Sequence, residues 1–410
     1  MKIVMAANWW YRRGGLGAVM FDETEALRRR GHEVVPFAAA HPENEPTEWS
    51  PFFPAYVEMS ALGRGASAMT RARVAADLIH NSRAARRFAD LLDATRPDLI
   101  HLHNTARQLS PAILGAARAR GVRAVMTLHD YGLICPQGQL YKAERAACGP
   151  PNCVRGNVVH AIANRCVKRS LAGSTIAAVE HLIHRSLRSY TDSVTALIAP
   201  SEFLRARLEA AGIRRPPIRV VPNGVHDAPT RGPVRATGGH ILFSGRLARE
   251  KGVRVLLDAA ANTPEIRYVV AGDGPLREDV ERSAPDNVHV IGHQGPLQLD
   301  QLYADAVASV VPSTWFENAP LTVLEAMRAG RPVVASRLGG HIEMIPPNAG
   351  ILVRPGDPHS LADAATFLWR NRSAAAAMGT AARRTFEKRY RLDEHVDRLL
   401  LVYGEAVSGG

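Results

Sequence analysis

Glu317 and Glu325 carry the most informative spacing in the chain. They stand in Val311-Pro312-Ser313-Thr314-Trp315-Phe316-Glu317-Asn318-Ala319-Pro320-Leu321-Thr322-Val323-Leu324-Glu325-Ala326-Met327. An apolar, strand-like run ends at Pro312, and a helical pattern begins near Pro320, where proline suits a first turn whose N–H groups have no intrahelical partner. Glu317 then lies in the loop and Glu325 more than one turn into the helix. Carboxylates accept hydrogen bonds, so the two suit a hydroxyl-rich ligand such as a ribose or a hexose. The N–H groups of the first turn favour an anion, above all a phosphate. As a bare spacing the pair is equally compatible with a solvated Glu325.

Other residues carry weaker signals. Gly14 and Gly15 follow a short apolar run and precede a helical pattern, where a missing side chain lets the backbone approach a phosphate; a tight turn without a ligand would read the same. Arg12 and Arg13 beside them could reach a phosphate or face water. Gly272 and Gly274 shape a loop at a strand end, Gly292 and His293 follow the next strand, and Gly339 and Gly340 precede a segment with Glu343. Cys135, Cys148, Cys153 and Cys166 are spaced C-x12-C-x4-C-x12-C, without the paired C-x2-C knuckles of a zinc site. A structural zinc and free buried thiols both remain open. No Asp-x-Asp occurs, so a common device for holding a divalent cation on a diphosphate is absent.

The elements that must position these residues alternate between short Val/Ile-rich runs and longer helical patterns. The runs are nearly continuous in apolar character, as in strands buried on both faces of a parallel sheet. Those expected in the first half are 2–7, 32–37, 98–103, 124–129, 195–199 and 219–221; in the second half they are 241–244, 267–271, 288–291, 308–311, 333–336 and 351–353. Between the sets, 226–239 is rich in Gly and Pro and reads as a linker. Residues 360–407 are mostly helical in pattern, with a break near Tyr390. The expected class is α/β, two Rossmann-like doubly wound domains facing a cleft, with ligands at the carboxyl ends of the strands.

The chain has 410 residues, 46% apolar, 22% charged and 6% aromatic, with 51 basic against 39 acidic residues. That composition supports two domains and excludes a largely disordered, collagen-like or repeat architecture. No apolar run reaches the roughly 20 residues needed to cross a bilayer, and the start lacks a signal-peptide core, so a cytoplasmic location is expected. Residues 1–230 hold 30 Lys/Arg against 19 Asp/Glu, whereas 231–410 are nearly balanced. Such a field could meet anionic lipid, a phosphate-bearing substrate or nucleic acid, or simply clothe solvated helices.

The flanks of Glu317 and Glu325 resemble the family 4 glycosyltransferases, retaining enzymes of GT-B fold with a Glu-x7-Glu motif in the donor domain. Gly245-Arg246-Leu247-Ala248-Arg249-Glu250-Lys251-Gly252, Ala271-Gly272-Asp273-Gly274-Pro275, Pro222-Asn223-Gly224-Val225, Gly14-Gly15-Leu16-Gly17 and Thr127-Leu128-His129-Asp130-Tyr131 also fit, in family order. The resemblance implies that Arg246 and Lys251 contact the donor diphosphate, where fixed cations would stabilise the departing charge. It places Glu325 on the ribose, Glu317 on the donor sugar and His129 near the reacting carbon. Gly14, Gly15, Asn318, Ala319, Leu321, Thr322, Gly272, Gly274, Gly292 and His293 become donor contacts. Asp130 could orient an acceptor hydroxyl or cap a helix.

The implied organisation is an acceptor-binding domain over 1–225, the linker 226–239, a donor domain over 240–390, and a helix over 391–410 crossing back to the first domain. The implied reaction is retaining hexosyl transfer from a UDP- or GDP-linked sugar without a metal or cofactor. No enzyme nucleophile is needed if the leaving phosphate accepts the acceptor's proton. The first half's charge, with Arg83, Arg86 and Arg87 or Arg165, Lys168 and Arg169 set among apolar positions, suits an anionic membrane and a lipid-linked or cell-surface glycan. Expected partners are therefore the nucleotide sugar, a glycan acceptor and a membrane surface, not nucleic acid. Competing readings are a natural-product glycosyltransferase, a sugar-nucleotide epimerase that needs no acceptor, and an inactive basic binding protein.

Overall fold

The computed structural model describes residues 1–12, 14–58, 67–142, 146–149, 152–228 and 239–409, with the backbone alone at 68, 71 and 72. Arg13 and most of the expected linker, 229–238, lie outside the described residues. The chain divides into two compact units. The first comprises Met1–Ala143, Gly149–Val221 and His395–Gly410; the second comprises Glu144–Cys148 and Pro222–Glu394. The sequence reading placed the corresponding changes at 225 and 391.

In the first unit six parallel strands, β1 (Lys2–Ala6), β2 (Glu33–Phe37), β3 (Leu99–Leu102), β4 (Arg123–Thr127), β5 (Ala196–Ala199) and β6 (Ile218–Val220), are ordered β2-β1-β3-β4-β5-β6. Ile3, Val4, Met5 and Ala6 are all fully buried, as a central strand covered on both faces requires. The second unit repeats the plan with β7 (His240–Ser244), β8 (Tyr268–Ala271), β9 (Val288–Gly292), β10 (Ala306–Val311), β11 (Val333–Ser336) and β12 (Gly350–Val353). These are ordered β9-β8-β7-β10-β11-β12, again parallel. Each expected strand forms, with ends shifted by at most two residues.

Along β7 successive side chains alternate between two cores. Ile241 and Phe243 join Leu256, Tyr268, Val270, Leu361 and Leu368 on one face. Leu242 joins Val269, Leu324, Met327 and Phe386 on the other. The expected break near Tyr390 is present: the helix Arg372–Arg389 ends there. Val225 clamps the break, its N–H donating to the Tyr390 carbonyl and its own carbonyl accepting from the Leu392 N–H. The last helix, Leu392–Ser408, is tied to the first unit from His395 onward. Tyr403 Oη lies 2.7 Å from His101, Arg219 pairs with Glu405 at 2.8 Å, and His395 reaches Glu23 at 2.8 Å.

Each sheet reverses its strand order once, between β1 and β3 in the first unit and between β7 and β10 in the second. Neighbouring strands that send their connections to opposite faces leave a crevice at their carboxyl ends, the usual ligand position in such sheets.

Candidate functional site

In the second unit the loops leaving β7 and β10 are knitted together at that reversal. The Thr314 N–H donates to the Glu250 carbonyl at 2.8 Å. The single 3-10 turn Arg249–Lys251 closes on Gly252, whose φ is +71° and whose missing Cβ would stand 1.9 Å from the Pro312 carbonyl oxygen. Only glycine allows both that conformation and that approach.

The turn aims Lys251 at Glu317. Lys251 Nζ donates to Glu317 Oε1 at 2.8 Å, Ser313 Oγ donates to the same oxygen at 2.7 Å, and Nζ stands 5.1 Å from the Trp315 ring centre. Glu317 is 4% exposed. Burial by itself pushes this carboxyl up, but the Lys251 ammonium, His341 and the hydrogen bonds from Lys251 and Ser313 outweigh it, holding the group below its ordinary 4.5. The loop backbone is clasped from the far side by Gly339 and Gly340. The Gly340 N–H donates to the Glu317 carbonyl, and a Cβ at Gly340 would stand 1.9 Å from the Asn318 carbonyl.

Arg246 is exposed, one residue past Gly245. The helix after the loop runs Leu321–Arg328 with Pro320 as an extended N-cap, and no side chain caps its first turn. Leu321 and Thr322 therefore lead the helix with N–H groups that no cap side chain takes. Glu325 accepts a hydrogen bond from the buried Tyr303 hydroxyl at 3.1 Å. Asn318 is buried, and the Ala319 carbonyl accepts from the Asn223 amide at 3.1 Å, anchoring the Pro222-Asn223-Gly224-Val225 segment to this loop. Gly272 and Gly274 each back onto chain rather than open space: their missing Cβ atoms would stand 1.9 Å from the Gly245 carbonyl and 2.5 Å from that of Leu247. Gly292 ends β9, and His293 beyond it is exposed.

Sequence reasoning passed over His341. It is fully buried, its Nδ1–H donates to the Ser336 carbonyl at 2.8 Å, and its Nε2 has no partner among the described residues. Burial holds the ring below its ordinary 6.5 against the pull of Glu317. The only signal was its place directly after Gly339 and Gly340.

In the first unit the reversal joins Asn8 and Asn104, the Asn8 N–H donating to the Asn104 carbonyl at 2.7 Å. Gly14, at φ +65°, and Gly15 open the helix Gly14–Arg29 and are exposed. Arg12 pairs with Asp22 at 2.9 Å, so that guanidinium is committed to the protein. His129 is half-buried past the end of β4, with Nε2 2.8 Å from His103 Nδ1. Burial, then the electrostatic influence of His395, pushes its pKa down to about 4. Asp130 is exposed, and its carboxylate accepts from the Gly132 N–H at 2.8 Å, the contact of a local turn.

Cys135 and Cys153 are buried, and Cys148 and Cys166 are half-buried. Among the described residues, Glu23, His101 and His103 come within ion-binding reach of one another.

Beside His129 and Asp130 the first unit holds a cavity of about 570 Å³. The helix Leu171–Ser186 contributes Glu180, His181 and His184 to its wall. Burial pushes Glu180 up to about 7, with Arg107 acting in the opposite sense, and pushes His181 down to about 4. The Tyr190 hydroxyl and His181 Nε2 are buried there without a partner among the described residues. No spacing in the sequence marked these residues, since they meet only through the fold.

Residues 13–228, more than half the chain, match the family model described as Glycosyltransferase Family 4. Residues 232–385 match the model described as Glycosyl transferases group 1. The chain belongs to glycosyltransferase family 4. Among curated relatives, a sulfoquinovosyl transferase of Arabidopsis thaliana is 36% identical over 155 residues, which is 36% of this family 4 chain and 30% of the plant protein. The chain spans less than half the length of the first curated relatives that it matches. Among solved structures, sucrose-phosphate synthase from Thermosynechococcus elongatus superposes with a TM-score of 0.69 at 19% identity, covering 100% of both chains. HepE of Anabaena, solved with UDP-glucose, superposes with a TM-score of 0.66 at 17% identity, covering 99% of this chain and 100% of its own. These likenesses establish the GT-B fold.

The Lys251–Glu317 contact gives a stability prediction. Lys251→Met should cost about 2 kcal/mol, because it strands a buried carboxylate, and Lys251→Met with Glu317→Gln should recover most of it in urea unfolding. Equal midpoints for the single and double variants would contradict the pairing. The contribution should be present above pH 4.5 and be lost as pH falls through the lower native value. Glu180 works in the opposite sense, costing the fold nothing below pH 4.5 and most above about 7. Glu180→Gln should raise the melting temperature at pH 8, by about 2–4 °C for each kcal/mol recovered, and leave it unchanged at pH 4.5.

Proposed function

We propose that this family 4 chain is a retaining, metal-independent glycosyltransferase that moves a hexose from a UDP- or GDP-linked sugar to a hydroxyl of a lipid-linked or cell-surface glycan. The observation that carries the reading is Lys251, held on Glu317 at the reversal of the second sheet, with Arg246 exposed in the same loop. In this reading both cations grip the donor diphosphate. The N–H groups of Leu321 and Thr322 add an anion site, Glu325 takes the ribose, and Glu317 and His129 take the transferred sugar. Asn318, Ala319, Gly14, Gly15, Gly272, Gly274, Gly292 and His293 complete the donor contacts. Anabaena HepE with UDP-glucose supports the choice of a nucleotide sugar.

Catalysis then consists of holding donor and acceptor in reacting geometry and stabilising the departing diphosphate with charges that are already in place. A cation fixed by a neighbouring carboxylate does not reorganise as the bond breaks, which is the electrostatic work a divalent metal would otherwise do.

For the acceptor, the reading rests on the first unit. The helix Leu171–Ser186 lines the cavity with one face and turns Leu171, Val179 and Leu182 to solvent on another, at 54%, 44% and 46% exposure. Arg165, Lys168, Arg169 and Arg188 flank that apolar stripe and are exposed. Apolar side chains on a helix with cations at both ends suit the interface of an anionic membrane, and this favours a lipid-linked acceptor delivered to a domain that binds it through Asp130 and the cavity.

Two outcomes are expected. Nucleoside diphosphate should be released only when an acceptor is supplied, at the same rate with and without EDTA, and the product should keep the donor's anomeric configuration by NMR. Conversion of the donor, without an acceptor, to an isomeric nucleotide sugar and no net diphosphate would favour an epimerase, and inhibition by EDTA would remove metal independence. Vesicles containing anionic lipid should sediment the protein more than neutral vesicles, and Val179→Asp with Leu182→Asp should abolish the difference. Equal sedimentation of the native protein with both vesicle types would remove the membrane reading.

A further inference from the structure

Within the first unit, His129 is backed by a chain of buried polar groups that the reaction described above does not use. Glu23, on the helix Gly14–Arg29, is fully buried. Its Oε1 accepts from His395 Nε2 at 2.8 Å, while Oε2 has no hydrogen-bond partner among the described residues and lies 3.3 Å from His103 Nε2 and 3.8 Å from His101 Nδ1. His103 Nε2 is also 2.8 Å from Met5 Sδ, and His103 Nδ1 is 2.8 Å from His129 Nε2. Both nitrogens of His101 are engaged at 2.7 Å, Nδ1 with the Tyr403 hydroxyl and Nε2 with Thr127 Oγ1.

The proton positions follow from what surrounds each nitrogen. Around His103 Nε2 stand a thioether sulfur and a carboxylate, neither of which can donate. A bare nitrogen there would face a lone pair and a negative charge, so the ring proton sits on Nε2. His103 Nδ1 is then bare and can only accept, and the hydrogen on the 2.8 Å contact belongs to His129 Nε2. A neutral imidazole carries one proton, so His129 Nδ1 is left as a lone pair. Burial keeps both His103 and His129 neutral. The arrangement depends on Glu23 being ionised. Burial, with the Asp22 charge adding to it, raises that carboxyl above its ordinary 4.5, and the hydrogen bond and charge of His395 oppose the rise without cancelling it. A proton on Oε2 would donate to His103 Nε2 and reverse every step.

We propose that Glu23 is a positioning residue: acting through His103, it fixes the tautomer in which His129 presents a hydrogen-bond acceptor, so that the contact at His129 selects a hydroxyl donor on the transferred sugar. The specificity consequence rests on the reading of His129 as a sugar contact; the tautomer does not. Glu23, His101 and His103 are also close enough to share a metal ion. The nitrogens they would offer are already taken by Tyr403 and Met5, so the hydrogen-bonded form is preferred and metal binding becomes an outcome of the test.

The experiment uses the full-length protein labelled with 15N-histidine, whose long-range proton–nitrogen spectra report which ring nitrogen carries the hydrogen. At pH 7, His103 and His129 should both carry it on Nε2, with the signals assigned through His103→Asn and His129→Ala. Glu23→Gln, whose amide can donate where the carboxylate cannot, should move both protons to Nδ1 and lower kcat/KM by about tenfold, the value of roughly one neutral hydrogen bond. Glu23→Asp should keep the native tautomers. A native His129 protonated on Nδ1 overturns the proposal without any variant, and so does one equivalent of metal in the native protein that Glu23→Gln loses. If His129→Ala lowers kcat/KM and Glu23→Gln leaves it unchanged, the proposal fails and the sugar-contact reading survives. If His129→Ala has no effect while the tautomers are as expected, that reading fails and the positioning by Glu23 stands.

Discussion

A buried carboxylate is held ionised by one ammonium, and the crevice of the second sheet is built around that contact. Glu317 is almost out of solvent, and isolating its charge there would cost several kcal/mol. Lys251 and Ser313 offset that cost at 2.8 and 2.7 Å. The pair joins the loops that follow β7 and β10, the two strands at which the second sheet reverses. Because the partners come from different loops, their attraction fixes the shape of the crevice as well as the direction of the lysine. The glycines around it serve the same geometry: Gly252 lets the lysine's turn lie on Pro312, and Gly340 lets its own chain lie on Asn318. A cation placed this way is oriented before any ligand arrives, which is the condition for electrostatic stabilisation of a departing anion.

In the first unit the histidines near the carboxyl end of β4 and in the cavity are neutral. His129, His103 and His181 are all kept uncharged by burial. Their chemistry is therefore that of hydrogen-bond direction. The helix Leu171–Ser186 shows how one element can serve two surfaces, since 3.6 residues per turn put Glu180 and His184 on a different face from Val179 and Leu182. A polar cavity and an exposed apolar stripe then share a single scaffold.

Much of this was legible in the sequence because a parallel strand covered on both sides must be apolar throughout, and runs such as Ile3 to Ala6 or Val333 to Ser336 have few other uses. Glu317, Lys251 and Arg246 were legible through their short motifs. The pairing of Lys251 with Glu317 was not, for it joins residues 66 apart in sequence. Glu23 and His395 are separated by 372 positions, and no local pattern announces a contact that only the closing of the last helix creates. The helix expected to begin near Pro320 does so, with Pro320 as its extended cap. Gly272 and Gly274 show a different limit. A glycine that lets the chain approach a phosphate and one that lets it approach another strand look alike in sequence, and here each lies against backbone, at Gly245 and Leu247.

In the proposed function Lys251, held on Glu317, and the exposed Arg246 grip a diphosphate, and calorimetric titration of nucleotides reads that contact. The native protein should bind UDP or GDP more tightly than the matching monophosphate by about tenfold or more, equivalent to roughly 1.4 kcal/mol. Arg246→Met should remove most of that preference while leaving monophosphate affinity nearly unchanged. A preference for the diphosphate that survives intact in the variant, or that the native protein lacks, would contradict the account.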